Sequence, residues 1–205
     1  MEIAMICAVL AGGNSRTFGR DKLMYNVFGK PLIMYCIERL RRAKNIDKIV
    51  IVTKKERKET FESLGFEVIV DELLVGPIGG IYTALLEIGE AFVIAGDMPL
   101  VVPELVDLIV GLFKSVHCDV CVPMWPNGFL EPLHAAYSSD ILKRLRESIR
   151  HRKYSIQNVI RQSRAYFIKI EKIPQKWHES FFNVNTKEDL KELMIKLQHR
   201  AGDSI

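Results

Sequence analysis

The sequence predicts an α/β fold: an open, doubly wound, mostly parallel sheet with helices on both faces, three layers in all. Two observations carry this. Strand-like apolar runs alternate with helix-period segments through residue 123, the order that yields parallel strands joined by crossover helices. The chain has 205 residues, 48% hydrophobic and 26% charged, which is an ordinary globular composition with enough apolar side chain for one filled core.

The first expected strand is the continuous apolar run 3–10, which feeds the turn Ala11-Gly12-Gly13. After a polar stretch, Pro31 opens a helix with Leu32, Ile33, Cys36, Ile37 and Leu40 on one face and Arg39, Arg41 and Arg42 on the other. Residues 49–52 form a second strand. Residues 54–64 are charged and helical, with Gly65 as their stop, and 66–70 are a third strand. The loop 71–76 leads through Pro77-Ile78-Gly79-Gly80 into a helix carrying Ile81, Ala84, Leu85 and Ile88. Residues 91–95 are a fourth strand, Pro103 opens the helix 104–113, and 120–122 are a fifth strand.

The pattern then loosens. Trp125-Pro126-Asn127-Gly128 is a turn, and 132–137 and 165–170 read as strands. Segments 139–146 and 155–162 read as helices. Residues 181–185 read as another short strand, and Thr186 caps a last helix over 187–198. No repeat, low-complexity stretch or long linker divides the chain, so 1–205 is expected to be one domain whose C-terminal portion covers a sheet edge.

Composition excludes several classes. The longest uncharged apolar run, 3–10, is far short of the ~20 residues that cross a bilayer, and 92–95 is shorter still, so no membrane association is expected. The opening MEIAMICAVLAGG has no basic leader and ends its apolar run in glycines, so no signal peptide is expected. Four cysteines are few. Cys7 and Cys36 read as core, and Cys118-Asp-Val-Cys121 has no second pair to complete a metal site. A reducing compartment, the cytoplasm, follows. Net charge is +4, unevenly spread: residues 141–205 hold 15 basic and 7 acidic residues, a net +8, against −4 for the remainder. That third has no RNA-recognition string and few interleaved aromatics, so no nucleic-acid partner is expected.

In an open parallel sheet, ligands sit outside the carboxyl ends of the strands. The first such place holds Leu10-Ala11-Gly12-Gly13-Asn14-Ser15-Arg16-Thr17-Phe18-Gly19-Arg20-Asp21-Lys22. Adjacent glycines let backbone N–H groups approach a ligand with no β-carbon in the way, and Arg16, Arg20 and Lys22 bring cations for phosphate oxygens. The string is not a GxxxxGK[ST] loop, since Phe18 stands where the second glycine belongs. Nor is it GxGxxG, because Gly12 and Gly13 are adjacent. Asp97 ends another apolar strand, where a carboxylate can hold Mg²⁺, a cation that takes oxygen ligands and uses only one or two carboxylates plus phosphates. Asn183 and Asn185 alternate on an expected strand and so share a face, offering paired amides. His134 reads as a packed or hydrogen-bonded residue, and no arrangement of Ser, His and Asp suggests a catalytic nucleophile.

The thirteen-residue string resembles the LAGGxSxRxGxDK signature of nucleotidyltransferases that activate small molecules with NTPs, and within them the molybdenum cofactor guanylyltransferase family. The resemblance runs along most of the chain. It includes Gly76-Pro77-Ile78-Gly79-Gly80, Gly96-Asp97-Met98-Pro99-Leu100, Glu131-Pro132-Leu133-His134 and Phe182-Asn183-Val184-Asn185-Thr186. One departure is clear: Thr17 stands where the family has arginine, and Arg16 and Arg20 are the two candidates for that charge.

The resemblance implies the Rossmann-like sheet of nucleotide-diphospho-sugar transferases, with a nucleotide-binding half over 1–123 and an acceptor-binding half over 124–205. It implies GMP transfer from GTP to molybdopterin-bound molybdenum cofactor, with release of pyrophosphate. Lys22 and Asp97 would be catalytic, and Asp97 would be the Mg²⁺ ligand. Leu10, Ala11, Gly12, Gly13, Arg16, Lys22, Thr53, Asp71, Gly76, Gly80 and Asp97 would bind nucleotide. Asp71 would meet the guanine or sugar side, and Thr53 stands where the family often shows Asn. Asn183 and Asn185 would serve the acceptor, with His151, Arg152, Lys153, Arg161 and Arg164 as a basic region for its phosphate. Partners would be GTP, the molybdopterin cofactor and, transiently, proteins that make or receive the cofactor. The alternatives are transfer from CTP to the same pterin, from an NTP to a sugar phosphate, or a nucleotide-binding module without catalysis.

Overall fold

The computed structural model describes residues 4–13 and 21–202. Its centre is the apolar run Met5–Leu10, strand β1, whose six residues have too few polar side chains to face water on either side. Two more parallel strands flank it, β4 (Ile46–Thr53) and β6 (Ala91–Ala95), so that Val9 pairs with Ile51 on one side and Ile94 on the other. β5 (Glu67–Val70) extends the sheet beyond β4. Beyond β6 come β8 (His134–Tyr137), β7 (Val120–Met124) and β9 (Ala165–Lys169), giving the order β5-β4-β1-β6-β8-β7-β9. β8 is antiparallel to both its neighbours, and every other strand pairing in this sheet is parallel.

Side chains alternate across the sheet, as the two-residue period requires. Cys7, Val9, Ile51, Phe92 and Ile94 pack against α1 (Leu32–Leu40), α2 (Lys58–Glu62) and α4 (Pro103–Val116). Ala8, Val50, Val52, Ala91 and Val93 pack against α3 (Pro77–Ile88), α5 (Leu142–Arg150) and α6 (Ile156–Arg161). The expected three layers are present, and β6 and the core of α3 fall where apolar spacing placed them. No helix of the described residues is long and apolar enough to cross a membrane.

A third apolar cluster sits at the carboxyl ends of the strands. Val27 and Leu32 from the short hairpin β2 (Asn26–Val27) and β3 (Lys30–Pro31) and its following helix pack with Leu100, Val184, Leu190 and Leu193. This clamps the last helix, α7 (Lys187–Gly202), beside the loop after β6.

Three expectations need correction. Residues 181–185 are not a strand. Phe181 ends a 3-10 turn that starts at Gln175, and the next residues run without a ladder. The apolar alternation there is Phe182 and Val184, which both pack in the third cluster with no ladder, while Phe181 packs under the sheet. The charged run 54–64 is helical only over Lys58–Glu62, after a 3-10 turn at Lys55–Arg57. β4 begins at Ile46, since Asp47 and Lys48 lie at the exposed end of the sheet, where charge is tolerated.

Candidate functional site

Winding reverses between β1 and β6. The chain leaves β1 for β4 and β5, then returns on the other side of β1 as β6. The two loops that leave these neighbours therefore diverge and open a crevice. A cavity of about 500 Å³ lies there, and its wall includes Gly12, Gly13, Lys22, Asp71, Gly80 and Asp97. Leu10 and Gly76 also line it. Eight of the residues singled out from the sequence thus share one cavity, although they come from five separate stretches of chain.

The turn after β1 is anchored from below. Ala11 N–H donates to Val52 O at 2.7 Å, and its carbonyl accepts from Thr53 Oγ1 at 3.1 Å and from the Arg57 guanidinium. All of Ala11's polar groups are taken up inside the protein, and Thr53 is fully buried with its hydroxyl committed to Ala11. This corrects the expectation for both: neither faces the cavity, and both hold the turn. Gly12 and Gly13 are exposed, and a β-carbon on either would meet no atom of the described residues within 4 Å. Neither glycine has a left-handed backbone, and both line the cavity. Arg16, Thr17 and Arg20 lie outside the described residues.

At the charged end of the cavity, Lys22 Nζ donates to Asp97 Oδ2 at 2.7 Å and to Asn185 Oδ1 at 3.1 Å. Local order aims Lys22. Asp21 caps the turn Lys22–Met24 by accepting Leu23 N–H at 3.0 Å, and Leu23 packs beside Gly96. Asp97 is set by its backbone, since Gly96 N–H donates to Leu10 O and Asp97 O accepts from Val184 N–H, both at 3.0 Å. Asp97 Oδ1 is buried with no hydrogen-bond partner among the described residues, a costly state for a carboxylate oxygen. Among those residues no cluster of three or more His, Cys, Asp or Glu forms a metal cage. A single open carboxylate oxygen suits a cation that takes its other ligands from phosphate and water.

The cavity wall also carries the apolar side chains of Leu10, Val52, Leu74 and Pro77, together with Asp71. Asp71 Oδ1 accepts from Leu73 N–H and Thr83 Oγ1, each at 3.1 Å. Gly76 has φ of 81°, a backbone that favours glycine, and starts α3 immediately before Pro77. Gly80 is small for a packing reason: a β-carbon there would stand 3.1 Å from Leu10 Cδ1.

The acceptor candidates separate. Asn185 reaches Lys22, whereas Asn183 Nδ2 donates to Phe181 O at 3.1 Å. With no strand, they share no strand face. Asp189 organises this segment by accepting from Asn185 N–H at 2.8 Å and Thr186 N–H at 2.7 Å, and Asn185 N–H above all holds its carboxyl below the usual range. The basic region does not line the cavity. Arg164 pairs with Asp119 and Asp140 at the amino ends of the strands, Arg161 donates to Gly128 O, and His151, Arg152 and Lys153 are exposed. His134 is wholly buried, and burial alone lowers its pKa to about 3.

Sequence reasoning missed Arg57, which lies in a run expected only to be charged and helical. It also passed over Lys54 and Glu56, which line the cavity. Their place just past the end of β4 was the signal that could have found them.

A model of the MobA-like NTP transferase domain matches residues 7–166. A protein of Thermococcus kodakarensis named probable molybdenum cofactor guanylyltransferase is 57% identical over 189 residues, 92% of this chain and 94% of that one. The crystal structure of molybdopterin-guanine dinucleotide biosynthesis protein A from Archaeoglobus fulgidus is similar with a TM-score of 0.83 at 30% identity, covering 95% of this chain and 100% of that one. A CMP:2-keto-3-deoxy-manno-octonic acid synthetase complexed with CTP shares the fold, at 14% identity and a TM-score of 0.68 over 96% of this chain and 98% of its own.

Proposed function

The chain belongs to the MobA-like NTP transferase family, and on that premise we propose that it transfers GMP from GTP to the molybdopterin-bound molybdenum cofactor, giving the guanine dinucleotide cofactor and pyrophosphate. The observation that carries this is the meeting of Lys22 and Asp97 at 2.7 Å in one cavity with the bare Gly12-Gly13 turn.

A terminal phosphate oxygen of the acceptor attacks the α-phosphorus. The bond from that phosphorus to the bridging oxygen breaks, and its electron pair leaves with pyrophosphate. The attacking oxygen is already anionic, so no strong base is needed. The difficulty is bringing two anions together, and positioning and charge neutralisation supply the catalysis. Gly12 and Gly13 offer N–H groups to the phosphates. Lys22 turns from Asp97 to the phosphate chain and offsets charge on the leaving group. Mg²⁺ held by Asp97 would, when bound, neutralise phosphate oxygens and polarise the α-phosphorus. The apolar part of the wall, with Asp71, Gly76 and Gly80, takes the nucleoside, and Leu10 packs on it. Asn185 steadies Lys22 and borders the acceptor with Asn183.

Residues 1–205 act as one domain in this reading, with the nucleotide held by 1–123 and the acceptor by 124–205. The continuous seven-stranded sheet supports it. Four free cysteines, all buried, suit a cytoplasmic location. Delivery and removal of the cofactor involve transient contacts with the proteins that make or receive it.

The test is pyrophosphate release from purified molybdenum-loaded molybdopterin with Mg²⁺ and each of GTP, CTP, ATP and UTP. GTP alone should support rapid release. Preference for CTP, or release only with a sugar phosphate, would replace this reading, and nucleotide binding without release would remove catalysis.

A further inference from the structure

Arg57 sits in the turn between β4 and α2, its side chain nine-tenths buried. One arm of its guanidinium donates to Ala11 O, at the near end of the turn after β1, and another donates to the Asp21 carboxylate. The Phe61 ring lies under the group, 5.1 Å from centroid to guanidinium carbon, and fixes its plane. Asp21 has two oxygens and uses them differently: one takes Arg57, and the other caps Leu23 N–H at 3.0 Å. Lys22 lies between those two anchored residues, with its ammonium on Asp97. A planar fork that reaches a carbonyl and a carboxylate at once fixes their spacing, which a point charge cannot do.

We propose that Arg57 is a positioning residue for nucleotidyl transfer: by bridging Ala11 and Asp21 it sets the distance between the glycine turn and Lys22, and so aims the Lys22 ammonium. The function rests on the reaction proposed above, whereas the mechanical link from Arg57 to Lys22 does not. Arg57 touches no reacting atom in this account. It acts wholly through Asp21 and the turn that carries Lys22.

The test compares Arg57→Met and Arg57→Lys, each in the native chain and in a Lys22→Ala background. Arg57→Met should lower kcat by about 10- to 100-fold, the scale of misplacing a catalytic group by roughly an ångström. In the Lys22→Ala background the same change should cost less than about 3-fold, because there is no ammonium left to aim. Arg57→Lys should fall nearly as far as Arg57→Met, and it keeps the test alive if Arg57→Met does not fold. Amide hydrogen exchange gives a readout that needs no activity: Leu23 N–H should exchange at least about 10-fold faster in either variant, with Ile94 in β6 unchanged. Equal kcat losses with and without Lys22, wild-type turnover in both variants, or unaltered Leu23 exchange would each overturn the proposal. If the native chain transfers no nucleotide, the proposed reaction falls, and Leu23 exchange still decides whether Arg57 holds the Lys22 turn.

Discussion

Lys22 Nζ lies 2.7 Å from Asp97 Oδ2, although 75 positions separate them in the chain. Both side chains are mostly shielded from water, at 14% and 21% exposure. Each charge is therefore matched by the other, and an arriving polyphosphate can take the ammonium while a divalent cation takes the carboxylate. Lys22→Ala and Asp97→Ala should each lower turnover by about 100-fold or more, the cost of losing one preorganised electrostatic contact. Steady-state pyrophosphate release checks this, and near-normal activity in either variant would contradict the assignment.

The glycines of the cavity differ in what surrounds them, and their substitutions should differ accordingly. Gly13→Ala meets nothing among the described residues and needs no left-handed backbone. It should leave the melting temperature unchanged or slightly raised while weakening Mg-GTP binding at least about 10-fold. Gly80→Ala drives a β-carbon to 3.1 Å from Leu10 Cδ1. It should cost about 1–2 kcal/mol of stability as well as affinity. Calorimetric titration alongside melting separates the two, and a Gly13→Ala protein that binds GTP normally would contradict the cradle.

Asn185 and Asp189 have separable tasks. Asn185→Ala removes an acceptor for the Lys22 ammonium, and kcat should fall about 10-fold with little change in stability. Asp189→Ala removes the cap on two backbone N–H groups at the start of α7. It should cost about 1 kcal/mol in urea unfolding. Loss of turnover with Asp189→Ala but not with Asn185→Ala would reverse these roles.

His134 makes stability depend on acid. In the folded state burial lowers its pKa to about 3, whereas the unfolded chain takes up the proton near pH 6.5. The unfolded state binds more protons between those values, so stability is whole above pH 6.5 and falls as pH drops toward 3. From pH 6.5 to 4.5 this one group should remove about 2–3 kcal/mol. His134→Leu, set between Phe92 and Phe181, should lose correspondingly less over that range. Parallel urea midpoints in the two proteins would show that His134 is not the source.

Residues with local signals were legible before folding. The apolar runs at Met5–Leu10 and Ala91–Ala95 announce buried parallel strands, and the period of Ile81, Ala84 and Leu85 announces α3. Because those strands end in Ala11-Gly12-Gly13 and Gly96-Asp97, the sequence also determined which loops would meet at the carboxyl edge. What it could not determine is who bonds to whom across that edge. That Thr53 and Arg57 both end on the Ala11 carbonyl, that Arg57 reaches Asp21, and that Lys22 finds both Asp97 and Asn185 depend on β1 lying between β4 and β6. The run 181–185 is the clearest case, because its alternation is real, yet Phe182 and Val184 answer to the cluster around the last helix rather than to a sheet face. Periodicity reports which side of a segment is dry. Only the packed sheet decides which distant groups then fall within hydrogen-bond reach, because that reach is a few ångströms in space and carries no spacing along the chain.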